Sequence, residues 1–419
     1  MTRTERQRLC VKKWIAAKGK GTIVGATGFG KTMVGLMTFK ALLKKYPTLR
    51  ILVVVPTTGL KDQWQSLVDE WGFTFNVEIQ VINTVIEHNW TCDLLTIDEC
   101  HRMNSDTFRQ IFNKVKYKLI LGLTATFERL DGKHVIMQKY CPIVDDIPLV
   151  ECQANGWVSE YKEYKVLLEV EDIDYYKQLN KEFVKYFEFF DFDFNKAKKC
   201  CGKDGWKYKL ELVNEMYKGK DESKRKDILK AITVNSIGFM RVIQKRKAFI
   251  NNHPKKIEIT RKILEARKDK KIITFSNNIK MAEAIENGNN VYSGKVSKKK
   301  GRIMIEDFNA QTAGNIHTIR KADEGLDIPG LSVAIILGTD SSETKARQRK
   351  GRAIRKEGNK VAEVFYLIIK DTVEEKWHDN SHKRDKDFIT IDEENLEKVL
   401  RHEEPEEYKK KIQQLLFRW

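Results

Sequence analysis

Several things are scarce in this 419-residue chain, and each shortage narrows what it can be. Its seven cysteines form no CxxC pair and no His/Cys cluster at metal-ligand spacing, so a cysteine-based metal site is not expected. Cys200 and Cys201 are adjacent, a poor arrangement for chelation, and read as structural or incidental. An odd cysteine count without a framework points to a reducing cytosol. No uninterrupted apolar run approaches the roughly 20 residues that span a bilayer. The opening stretch MTRTERQRLC is charged and leads into no apolar segment, so a signal peptide is not expected. Together these shortages predict a soluble cytoplasmic protein with no membrane partner. Internal repeats and low-complexity segments are absent as well. Acidic residues are the last shortage: 59 Asp and Glu face 77 Lys and Arg, a formal charge of +18. That surplus favours a polyanionic partner, because each phosphate neutralised releases counterions.

What is present has a clear texture. At roughly 100–200 residues per domain, the length predicts two or three domains. Short apolar runs at Thr22–Val24, Ile51–Val55, Glu78–Ile82, Leu94–Ile97 and Leu119–Leu123 alternate with helical stretches such as Lys31–Lys45 and Leu60–Glu70. Such alternation predicts an α/β unit, a parallel sheet covered by helices, over residues 1–150. A second alternating unit spans residues 256–370, with runs at Ile272–Phe275, Asn290–Tyr292, Ile316–Ile319, Val333–Leu337 and Val361–Ile369. Residues 151–255 differ: they read as a linker and a mainly helical insertion rich in aromatics and lysine, without proline between 171 and 250. Residues 371–419 read as a polar, helical C-terminal extension, with Glu407–Phe417 suited to an amphipathic helix.

Residues 25–32, Gly-Ala-Thr-Gly-Phe-Gly-Lys-Thr, fit the phosphate-cradling pattern G-x-x-x-x-G-K-[ST]. Glycine lets the backbone curl so that its N–H groups face phosphate oxygens. An apolar strand precedes the loop and a helix start follows, the context the pattern requires. Thr27, Gly28, Gly30, Lys31 and Thr32 are therefore expected to bind ATP, with Lys31 on the β- and γ-phosphates and the Thr32 hydroxyl on Mg²⁺. The run Leu94-Leu95-Thr96-Ile97-Asp98-Glu99-Cys100-His101 ends a strand in two carboxylates. Carboxylates there face the crevice where ligands bind in such sheets. Asp98 is expected to hold Mg²⁺ and Glu99 to orient and deprotonate the attacking water.

With these motifs in order, the chain resembles the superfamily 2 helicases of the DExH/DEAD-box type over roughly residues 7–355. That resemblance implies two RecA-like parallel-sheet domains around one ATP site. Gln7 matches the family's adenine-reading glutamine, although Thr4 stands where the companion arginine usually lies. Val55-Pro56-Thr57, followed by Leu60, Gln63 and Trp64, resembles the motif on the nucleic-acid backbone. It offers Pro56 and Thr57 as contacts, joined by Thr318 from the second unit. Gly122-Leu123-Thr124-Ala125-Thr126 resembles the segment coupling hydrolysis to strand movement, with Phe127 where the family often has proline. The resemblance assigns coupling to Thr124, Thr126, His101 and Gln348. Asp323-Glu324-Gly325-Leu326-Asp327 resembles the motif shared between nucleotide and nucleic acid, so Gly325 and Asp327 are expected at the nucleotide. Residues 348–355 match Q-R-x-G-R-x-x-R. Arg352 and Arg355, three apart on a helix, would point together into the cleft and neutralise the transferring phosphoryl group.

Gly-Leu-Thr-Ala-Thr followed by Arg129 and Asp131-Gly132 is similar to the XPB-like branch, which includes the phage UvsW-type enzymes. The implied function is an ATP-dependent DNA helicase or translocase acting on forked and branched DNA in replication, recombination or repair. Its partner would be single-stranded and branched DNA, and its location the host cytoplasm if phage-encoded. An RNA helicase and an ATP-gated clamp that does not unwind are the alternatives. Strand separation needs a wedge, and the insertion is the candidate. Trp206 and Tyr208, flanked by Lys203, Lys207 and Lys209, either stack on a base or pack the insertion's own core.

Overall fold

The computed structural model describes residues 1–101, 108–125, 138–202, 204–319, 328–339, 343–355, 358, 360–383 and 388–404. Two sheets organise them. The first contains β1 (Lys20–Gly25), β2 (Ile51–Val55), β3 (Val77–Val81), β4 (Leu94–Asp98), β5 (Leu119–Thr124) and β6 (Ile143–Ile147), in the order β3-β2-β4-β5-β1-β6. The second contains β7 (Glu160–Leu168), β8 (Lys271–Ser276), β9 (Val291–Tyr292), β10 (Gly314–Ile319), β11 (Leu331–Ile336), β12 (Val361–Ile369) and β13 (Ile389–Ile391). Its order is β9-β10-β8-β11-β12-β7-β13. Every pairing in both sheets is parallel. This is the two-sheet RecA-like α/β architecture.

The central strands show why. β2 is Ile-Leu-Val-Val-Val, buried at every position, and β12 is buried at all but its first residue. Such β-branched runs suit a parallel sheet whose two faces are both covered. In the first lobe the covering helices include α1 (Arg3–Ala16), α2 (Lys31–Lys45) and α3 (Thr58–Glu70). A capping box between Thr2 and Glu5 starts α1. Thr57 caps α3, its hydroxyl accepting from the Leu60 N–H at 3.3 Å.

The helical insertion is α4 (Ile173–Glu188), α5 (Phe194–Lys199), α6 (Gly205–Met216) and the long α7 (Glu222–Asn252). It has its own core around Phe239, where the rings of Phe183 and Phe187 pack at 5.3 and 5.7 Å. Tyr208 packs against that core, whereas Trp206 is 61% exposed. Its two ends meet: His253 Nε2 lies 2.9 Å from Asp172 Oδ1.

Two expectations about organisation are corrected here. β7 lies within residues 151–255 but pairs with β12 along its full length, so the insertion sits inside the second lobe rather than between lobes. Its sequence, EYKEYKVLL, hides the strand because buried Glu163 and Lys165 interrupt the apolar pattern. Residues 371–404 likewise join the second lobe: β13 pairs with β7, and α10 (Val373–Ser381) and α11 (Glu393–Leu400) follow and precede connecting turns there. The stretch Glu407–Phe417 lies outside the described residues. Among the described residues no helix is long and apolar enough to cross a membrane.

Candidate functional site

β1 ends at Gly25, and the chain turns through Ala26–Gly30 before α2 begins at Lys31. Gly28 and Gly30 have φ of +91° and +90°, a region that other residues enter only with strain. A Cβ on Gly30 would also lie 2.6 Å from Gln7 Nε2. The loop therefore delivers its N–H groups, and the start of the helix, to one point, an arrangement that holds anions. Lys31 Nζ donates to the Gly25 carbonyl at 3.1 Å. Gln7 is 4% exposed, and its amide donates to the carbonyls of Phe29 at 2.8 Å and Gly30 at 3.4 Å. The contacts of that amide frame the loop.

The acids arrive at the end of β4. Asp98 is buried, and its carboxylate accepts from Trp64 Nε1 at 2.9 Å and from the Glu99 N–H at 2.9 Å. Burial, then the neighbouring Glu99 charge, pushes the Asp98 carboxyl up to about 6, against the pull of the Trp64 N–H and Lys31. Glu99 has φ of +50°, left-handed for a residue with a long side chain. Strain of this kind costs about 1–3 kcal/mol and gathers at functional positions. His101 Nδ1 lies 3.3 Å from Glu99 Oε2 and 3.0 Å from Thr124 Oγ1, joining the β4 and β5 ends.

Trp64 belongs to the motif whose resemblance pointed to nucleic acid. In the structure it is 1% exposed and holds the Asp98 carboxylate instead. Gly35 on α2 leaves it room, since a Cβ there would sit 2.7 Å from the indole. A buried indole must place its N–H on an acceptor, which was the available signal. Trp64→Phe is expected to raise the Mg²⁺ concentration for half-maximal ATP hydrolysis by about tenfold or more, as losses of supporting contacts around metal ligands do. An unchanged Mg²⁺ titration would exclude this role.

The second lobe contributes α9 (Glu343–Ala353). Gly351 abuts the P-loop: a Cβ there would collide with the Thr27 side chain. Gln348 is buried, and Arg349 donates to the Gly338 carbonyl at 2.7 Å. Just beyond α9, the Arg355 backbone bridges to Val158, whose methyl group lies against Gly28. The helix carrying Arg352 and leading to Arg355 thus touches the same loop that carries Lys31 and Thr32.

The structure does not bring every expected residue there. Pro56 is buried at the end of β2, and the Thr57 hydroxyl is engaged in capping α3. Thr318, expected at nucleic acid, is fully buried in β10, and its hydroxyl donates to the Thr274 carbonyl at 2.7 Å. That expectation is corrected, because a side chain sealed between strands has no surface to offer. Thr126, Gly325 and Asp327 lie outside the described residues. Among the described residues no cluster of three or more His, Cys, Asp and Glu could hold a metal. The P-loop cradle, the Thr32 hydroxyl at a helix start and the buried Asp98 carboxylate nevertheless form a hard-oxygen donor set suited to Mg²⁺ beside phosphate.

Family comparison follows the same division. Residues 1–89 and 74–129 match the family described as "Type III restriction enzyme, res subunit", and residues 255–357 match "Helicase conserved C-terminal domain". One covers the lobe with Lys31 and Asp98, the other the lobe with α9. The chain belongs to the superfamily 2 helicases. This helicase is 27% identical over 388 residues to the DNA 3'-5' translocase XPB2 of Sulfurisphaera tokodaii, covering 88% of this chain and 82% of that protein. It is 25% identical over 458 residues to a provisionally named ATP-dependent RNA helicase of Methanocaldococcus jannaschii. That match covers 87% of this helicase but only 57% of the relative. Its fold is shared with S. cerevisiae Dbp5 bound to RNA and ADP BeF3, at a TM-score of 0.61 and 12% identity, covering 94% and 91% of the two chains.

Proposed function

We propose that this helicase is an ATP-driven DNA translocase that unwinds or branch-migrates forked and branched DNA in replication, recombination or repair. The observation that supports the reading is the seating of Gly351, on the helix that bears Arg352, against Thr27 of the phosphate-binding loop. In this reading Lys31 binds the β- and γ-phosphates of ATP, and Thr32 and Asp98 hold Mg²⁺. The ion supplies charge neutralisation at the phosphates. Glu99 accepts the proton of the attacking water, and Arg352 and Arg355 stabilise the charge that builds on the departing phosphoryl group. His101 and Thr124, 3.0 Å apart, carry the change at Glu99 to the neighbouring strand end. Cleft closing and opening then alternates the grip on one strand through its backbone.

DNA is favoured by the name of the Sulfurisphaera relative, which is a DNA translocase. RNA is the second reading, supported by the name of the Methanocaldococcus relative. A clamp that never turns over is disfavoured by Glu99 and both arginines. The site of action is the cytoplasm, that of the host if the gene is a phage's. Strand displacement on forked DNA and on forked RNA, with and without ATP, is the test. ATP-dependent opening of DNA alone is the expected result. Opening of RNA alone, or binding of either without opening, overturns it.

The insertion is the strand-separating element in this proposal. Exposed Trp206, with Lys207 Nζ 5.7 Å from its ring, offers a stacking face at a junction. Because Asp172 and His253 meet, residues 173–252 can be replaced by a short linker. That deletion is expected to leave DNA-stimulated ATP hydrolysis measurable and to abolish unwinding. Unwinding at the wild-type rate would show that the wedge lies elsewhere.

A further inference from the structure

The arginine helix is held from below by residues that belong to no motif. Between the lobes, Trp157 places its ring 5.8 Å from Phe29 of the P-loop. The next two residues turn to the other lobe. Val158 bridges to the Arg355 backbone, the Ser159 N–H donates to the Ile354 carbonyl at 2.9 Å, and the Ser159 hydroxyl donates to the Arg355 carbonyl at 2.9 Å. Four residues on, inside β7, Glu163 is wholly buried. Its Oε2 accepts from Lys350 Nζ at 3.0 Å, and its Oε1 lies 3.0 Å from His382 Nε2. Lys350 stands between Arg349 and Gly351 on α9 and is itself 2% exposed.

This stretch of chain thus touches the P-loop at one end and grips the arginine helix at its middle and its end. A buried carboxylate is expensive unless paired. Burial alone would push the Glu163 carboxyl up, and Lys350 and His382 outweigh it and hold it at about 2. Such a pair has no evident use for folding that an apolar pair could not serve. What it does supply is direction: a charged lysine on α9 is drawn to the Glu163 carboxylate beneath it, which biases the rotation of the helix. The rotation of α9 decides where Arg352 points, and the Val158 and Ser159 contacts fix the backbone that carries Arg355. Through His382, at the end of α10, residues beyond the last helicase motif are tied to the same carboxylate.

We infer that Ser159 and Glu163 are positioning residues for the arginine pair, so that the connector between the lobes, braced by α10, sets the geometry of ATP hydrolysis. This rests on the roles proposed for Arg352 and Arg355. ATP hydrolysis by the full chain in saturating forked DNA tests it, with ATP KM and thermal midpoint measured alongside. Arg352→Ala comes first: unchanged turnover there overturns the arginine assignment, and this inference falls with it. Given loss in Arg352→Ala, Glu163→Gln is expected to lower kcat by about tenfold to a hundredfold, the scale of a misplaced reacting group, with KM within about twofold. The double variant Glu163→Gln with Lys350→Met removes the buried lysine charge together with its carboxylate partner. It should regain the wild-type thermal midpoint while kcat stays low. A wild-type kcat in Glu163→Gln, or recovery of kcat together with the midpoint in the double variant, overturns the inference alone and leaves the arginine assignment standing.

Discussion

Arg352→Ala is expected to lower DNA-stimulated kcat for ATP by about 10³-fold or more, the range found when an arginine finger is removed from phosphoryl-transfer sites. The reason is where charge moves. In the proposed mechanism, negative charge spreads over the oxygens of the departing terminal phosphoryl group, which Lys31 and Thr32 would hold from one lobe only. α9 is the element of the other lobe seated on that loop, through Gly351 and Thr27. A guanidinium fixed there would stabilise the developing charge without reorganising. Ground-state binding depends mainly on the P-loop, so ATP affinity should change by no more than severalfold. Arg352→Lys should recover little, because a point charge lacks the planar fork. Single-turnover hydrolysis at saturating ATP, with binding of a fluorescent ATP analogue, checks both halves. A loss below about tenfold would place the charge-stabilising group elsewhere.

How much of this was legible beforehand depended on how local each feature is. The P-loop was legible because its glycines answer a local need, φ of +91° and +90° at Gly28 and Gly30. The strand ending at Asp98 was legible because its run is apolar but for Thr96 and ends in two carboxylates. The role of Trp64 was not legible: its partner Asp98 lies 34 residues away, and no local pattern ties an indole to a particular carboxylate. β7 was hidden for a related reason. Glu163 reads as a surface residue until Lys350, 187 residues later on α9, reaches down to meet it. Once β7 was missed, the insertion necessarily appeared to lie between lobes. Thr318 shows the reverse error, since a threonine in a β-branched strand fits a core hydrogen bond as readily as a surface contact. Aromatic content in the insertion was legible as composition. Only the packing around Phe239 separates the core rings from exposed Trp206.

Glu99→Gln isolates the chemical step from the grip on ATP. It keeps the shape of the side chain and so keeps whatever holds φ at +50°, but removes the base. General bases contribute about 10²–10⁴-fold, and kcat is expected to fall within that range while the thermal midpoint is preserved. ATP should still bind, because Lys31, the loop N–H groups and Asp98 are untouched. Lys31→Ala is the contrasting case: it strips the β- and γ-phosphates of their cation, so turnover and nucleotide affinity should fall together. DNA binding should persist in both, since both residues are assigned to the nucleotide and not to the strand. The two variants therefore separate two ways of losing the motor. Glu99→Gln should hold ATP and DNA together without opening a fork, whereas Lys31→Ala should hold DNA alone. Filter binding of radiolabelled ATP and forked DNA, with hydrolysis measured in parallel, reads all of these quantities. Turnover within about tenfold of wild type in Glu99→Gln would mean that another group takes the proton, and the acid at the end of β4 would then serve only to orient His101.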